Sequence, residues 1–142
     1  MAARRALFIA LAITWVAALA GLVWLMAVAD ARLHHIPDLL IGTNPLTKVC
    51  VILSVASTVA GVISAFVGAR SRPMIGVGGA FGWGALGALY AAANARNMLI
   101  NMNPPIPFAV YAPNYAAALI ALFLGVTGAI LCLGLLALQK PS

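Results

Sequence analysis

Few residues in this chain of 142 could carry out acid–base, nucleophilic or metal chemistry. The carboxylates are Asp30 and Asp38, the histidines His34 and His35, and the thiols Cys50 and Cys132. Adjacent histidines do not share a helix face, and only Asp38 stands near them as a third ligand, so the pair reads as a solvated or headgroup-level loop and not as a metal site. Cys50 and Cys132 fall near opposite ends of their apolar stretches. At 1.5 Å of rise per residue that separates them across a bilayer, which argues against a disulfide and for two small packing residues. The sequence has no Ser-His-Asp set, no paired acids, no CxxC, no phosphate-binding loop and no dinucleotide fingerprint in a strand–helix setting. No catalytic residue, metal or cofactor is assigned, and the chain is read as not an enzyme.

The remaining polar groups of interest are hydroxyls. Ser54, Ser57, Gly61, Ser64 and Gly68 recur every three or four positions, with Thr58 beside them. That spacing gathers them on one helix face. In lipid such a face is either the wall of a polar pathway or a seam where small side chains let two helices approach and hydroxyls bond across the contact. The seam is the reading adopted for Ser57, Gly61 and Ser64. Ser54 and Thr58, together with Thr127 and Ala117 further along, are candidates for a pore-facing or partner-facing surface.

The elements that hold these residues follow from composition. Hydrophobic residues make up 65% of the chain and charged residues 7%, against roughly 25% charged in a soluble domain. Apolar stretches of about 20 residues suffice to cross a bilayer. Four are expected, at 6–29, 49–69, 74–95 and 112–138, in one all-α transmembrane domain over residues 1–142. Arg4, Arg5, Arg70, Arg72 and Lys140 fall on one side of these spans, and Arg32, Lys48 and Arg96 on the other with both aspartates. The positive-inside rule then puts the first side, and both termini, in the cytoplasm. The net charge of +6 is scattered at helix ends, which points to orientation and membrane lipid and away from nucleic acid. The N-terminal arginines, apolar run and Ala-x-Ala step resemble a secretion signal, but the run is about twice the usual length of a signal core, so an uncleaved anchor is expected.

The third stretch, "GVGGAFGWGALGALYAAANA", is the richest in glycine. Gly76, Ala80, Gly84, Ala88 and Ala92 stand four apart, with Gly79, Gly82 and Gly87 as a second flank. Small-xxx-small series of this kind mark close helix contacts. Glycine costs a helix near 1 kcal/mol against alanine, so this many imply contact on more than one side. Gly84 and Gly87 are expected to admit close backbone approach, with Gly84→Leu breaking an oligomer. Pro104, Pro105 and Pro107 interrupt helix after Asn97, Tyr111 and Tyr115 mark an interface, and Pro113 fits the first turn of the last helix. Ala117, Ala121, Gly125 and Ala129 continue a small face there.

The segment "AVYAPNYAAALIALFLG" resembles the last transmembrane helix of the MotA/TolQ/ExbB proton-channel family at Ala112, Pro113, Ala116, Ala118, Leu119 and Gly125. The glycine-rich helix from Gly76 and the proline-rich link are similar to the family's penultimate helix and outer connection, so the resemblance covers residues 74–138. The glutamate of many members falls on Ala117, family threonines fall on apolar or glycine positions, and the large cytoplasmic insertion is reduced to a tight turn at 70–73. The resemblance implies a bacterial inner-membrane subunit, a homo-oligomer and a single-span partner carrying an intramembrane aspartate. It implies a channel or scaffold role around that partner helix. A non-conducting accessory subunit and a small carrier of an apolar substrate are the alternatives.

Overall fold

A computed structural model of the protein describes residues 2–28, 42–67, 72–102 and 107–138. His34, His35, both aspartates, the end of the Ala-x-Ala step at Ala29, Gly68, Arg70, Pro104, Pro105 and Lys140 lie outside the described residues. The described residues form four α-helices and no strand: α1 (Ala2–Val28), α2 (Pro45–Phe66), α3 (Arg72–Asn101) and α4 (Phe108–Leu138). Each is long and apolar enough to cross a membrane. With 22 to 31 residues apiece, they extend about 33 to 46 Å, beyond a hydrocarbon core of about 30 Å. In lipid a spanning segment must satisfy its own backbone, which is why apolar runs rich in Gly still form helix.

All four helices start ahead of the expected residue, α1 at Ala2 and not at 6. The second helix begins at Pro45, four residues before the expected start, because Asn44 caps it: its side chain accepts the Leu46 N–H at 3.1 Å, and proline occupies the first turn. There proline's missing N–H costs nothing and its φ already suits the helix. The third helix runs on to Asn101 through Asn94, Arg96 and Asn97, since polar side chains at a membrane boundary do not stop a helix. The fourth starts at Phe108, so Pro113 is an interior residue and not a first-turn one. The carbonyl four residues earlier therefore lacks its usual donor.

The helices alternate in direction. The contacts between Gly61 and Gly76, Gly84 and Gly125, and Trp15 and Thr127 make α2 antiparallel to α3, and α4 antiparallel to both α3 and α1. The first described residues of α1 and the last of α4 thus share one end of the bundle. The central element is α4, which packs on all three others, while α3 lies between α2 and α4, and α1 rests chiefly on α4. The interior is built from small groups. Ala80, Ala95, Ala116, Ala117, Ala121, Val126, Ala129 and Cys132 are all fully enclosed. Leu11, Val77 and Leu133 close one cluster with Val126 and Cys132, and Leu25 and Ala116 anchor a second near the far end.

Candidate functional site

The α2–α3–α4 side is built on glycine. A Cβ placed on Gly84 would lie 2.7 Å from the Gly125 Cα, and one on Gly76 would lie 2.6 Å from the Gly61 Cα. At these two crossings backbone meets backbone, and no other residue type fits without separating the helices. Hydroxyls bond across and beneath the contact. The buried Ser54 hydroxyl donates to the Ala80 carbonyl at 2.8 Å, joining α2 to α3. Thr58 donates back to the Ser54 carbonyl at 2.9 Å and packs against Gly128 of α4. The Cys132 thiol sits between Gly61 and Gly76, with the Thr58 carbonyl at 3.7 Å. Gly87 faces the Cβ of Cys50, and Ala88 packs beside Ala91, Ala117 and Ala118.

These positions determine what the sequence-derived residues touch. Gly61, Gly76, Ala80, Gly84, Gly87 and Gly125 are all buried between helices of the same chain. Gly84, expected to admit close backbone approach, meets Gly125, forty-one residues further along the same chain. Ser57 lies beside Gly79 at the edge of the seam, and Ser64 turns back to the Ala60 carbonyl at 2.7 Å. Of the four candidates for a pore-facing or partner-facing surface, Ser54 and Ala117 are buried, and Thr58 and Thr127 are half-buried with their hydroxyls committed to carbonyls of their own helices. Ala117 is fully buried, clustered with Ala91 of α3 and with Ala88 and Ala92 packed against it. Contact of α3 on more than one side holds for Gly76 and Gly79 toward α2 and for Gly84 toward α4, whereas Gly78 and Gly82 face open space.

The α1 side follows another pattern. The Trp15 indole N–H donates to the Thr127 hydroxyl at 3.0 Å, which in turn donates to the Phe123 carbonyl at 2.7 Å, and the Trp15 and Phe123 rings lie 5.2 Å apart. This side-chain chain links α1 to α4 across a span of sequence too long for any spacing rule to find. Grooves remain between the helices on this side. One, about 680 Å³, runs between α1 and α3 over α4. Gly21, Ala85, Ala88, Ala92 and Ala118 form much of its wall, and Trp24, Phe108 and Tyr115 gather at one end. Phe108, Tyr111 and Tyr115 stack edge-on there at 5.1 and 6.1 Å, and Trp24 is largely exposed, as an interfacial aromatic would be. A second groove of about 330 Å³ lies under Arg4 and Arg5 between α1 and α4. Sequence reasoning located the small-residue faces but not the grooves, because a groove is set by where two helices fail to meet.

Together the helices and surfaces have the make-up of a multi-pass membrane protein. Comparison with protein-family models, curated proteins and solved structures finds no match to the chain.

Proposed function

We propose that this protein is a scaffold subunit of MotA/TolQ/ExbB type in a bacterial inner membrane, with both termini on the cytoplasmic side. Several copies assemble around a single-span partner helix, and the partner supplies the ionisable group for any ion movement. The observation that carries this reading is the α3–α4 hairpin. The two helices bearing the resemblance are locked backbone to backbone at Gly84 and Gly125, and the position matched to the family's acid is a methyl group inside their dry contact at Ala117. A rigid hairpin of this kind suits a wall that holds another helix. An ionisable residue within a span is the usual mark of a proton path, and among the described residues the charged ones in helices, Arg4, Arg5, Lys48, Arg72 and Arg96, all fall near helix ends.

Native mass spectrometry of the complex in mild detergent, paired with a proton-leak assay in vesicles, tests the proposal. The expected result is an oligomer carrying a small single-span partner, with no leak from this chain alone. A monomer without a partner overturns the scaffold role, and a leak from the isolated chain overturns the division of labour. Ala117→Glu sharpens the test. Because Ala117 has no exposed surface, the substitution should lower the thermal midpoint steeply and create no conductance.

A carrier of apolar molecules is a second reading, favoured by the groove of about 680 Å³ between α1, α3 and α4. It requires a stoichiometric apolar compound that copurifies with the chain and is lost in Ala88→Phe, which fills the groove wall.

A further inference from the structure

The smaller groove, at the end of the bundle where α1 begins, joins two basic residues to an apolar wall. Arg4 and Arg5 border it, together with Phe8 and Ile9 of α1 and Leu133, Gly134 and Ala137 of α4. Both arginines are exposed and have no carboxylate side chain to pair with among the described residues. The acids of the chain, Asp30 and Asp38, follow the opposite end of α1, whose axis from Arg4 to Val28 is about 36 Å long.

The arginines are also placed against their own helix. The first turn of α1 holds no acid, so two cations sit where the helix dipole is positive and the first N–H groups lack intrahelical acceptors. An anion at that spot gains from the guanidinium groups and from the helix end at once. Depth in the membrane agrees. Arg5 lies ten residues from Trp15, the midpoint of α1. That is about 15 Å along the axis, the edge of a hydrocarbon core of about 30 Å. A phosphate would lie level with the arginines, and a hydrocarbon chain attached to it would run along the apolar groove below. Gly134 leaves room for that chain, since a Cβ there would meet nothing within 4 Å.

We propose that this groove is a binding site for one anionic phospholipid, such as phosphatidylglycerol, of the leaflet that faces the start of α1. The phosphate engages Arg4 and Arg5, and one acyl chain lies between α1 and α4 over Gly134. This goes beyond the scaffold reading and does not depend on it, because the site lies within one chain.

The test is lipid retention in a neutral detergent, followed by native mass spectrometry while phosphatidylglycerol or phosphatidylcholine is titrated in. The expected result is one tightly held phosphatidylglycerol per chain and markedly weaker phosphatidylcholine. Arg4→Gln with Arg5→Gln should weaken phosphatidylglycerol about thirtyfold, and the double lysine variant should recover most of it. Gly134→Leu fills the slot while keeping both arginines, and should weaken the lipid without changing the weak affinity for glycerol 3-phosphate. Circular dichroism confirms that each variant keeps its helices. Equal retention of the two lipids, full retention in the double glutamine variant, or full retention in Gly134→Leu overturns the proposal. So does competition by inorganic phosphate at the lipid's own concentration, which would leave the groove without a role.

Discussion

The two sides of α4 are assembled by different means. Toward α2 and α3 the contact is made by Gly61, Gly76, Gly84 and Gly125, with a buried Ser54 hydroxyl bonded to a backbone carbonyl. Toward α1 it is made by Trp15, Leu11 and Leu25, with one side-chain link from Trp15 to Thr127. Water provides no drive for helix association inside a bilayer, so packing and hydrogen bonds decide its strength. Small residues let backbones close until dispersion contacts are continuous. Larger side chains meet at separate points instead. Hence the closest backbone contacts lie among α2, α3 and α4, while grooves open beside α1 and also at the α2–α3 edge along Ser57, Gly61 and Trp83.

That contrast can be broken most severely at Gly84. Leucine there must push against the Gly125 Cα and the Ala121 carbonyl, both within 3 Å of a Cβ, so neither neighbour can yield by rotating a side chain. The expected loss is about 3 kcal/mol or more, at or above the upper end of overpacking costs, read as a collapse of the thermal midpoint in detergent. A midpoint within a few degrees of wild type would mean that the two backbones do not meet there.

A smaller effect is expected on the α1 side. Trp15→Phe removes the donor to Thr127 while keeping a ring against Phe123. Interhelical hydrogen bonds of this kind contribute about 0.6 kcal/mol on average. The variant should loosen α1 alone, seen as faster amide exchange or proteolysis in α1 with α2, α3 and α4 still protected. Uniform loss of protection across all helices would erase the distinction between the two sides.

A change of neutral or opposite sign is expected at Gly78, whose added Cβ meets nothing within 4 Å. Gly78→Ala should be neutral or raise stability by up to about 1 kcal/mol through helix propensity. Destabilisation or a change in oligomer size in this variant alone would reveal a second copy seated on that face.

Much of the architecture was legible in the sequence because lipid imposes a simple rule: an apolar run of sufficient length must become helix. Four spans, their order and the small-residue faces follow from that rule and from residue spacing. Boundaries were less legible. Apolarity ends at Val49 and near Ala95, yet capping by Asn44 and helix propensity beyond the apolar run carry α2 and α3 further. The Asn-Pro step at Asn44 and Pro45 was a readable signal for the first of these.

The sequence by itself determined that the chain is helical, apolar on nearly every face and without His, Lys, Asp or Glu in the middle of its spans, because those properties belong to single residues and to their spacing along one helix. Only the tertiary structure decided which small face meets which. Periodicity puts Ala117 on a face but cannot say whether that face looks onto a pore, lipid or an alanine of α3, and packing seats it against Ala91. The same holds for Trp15 and Thr127, 112 residues apart, and for the grooves beside α1, which lie where helices distant in sequence stand apart.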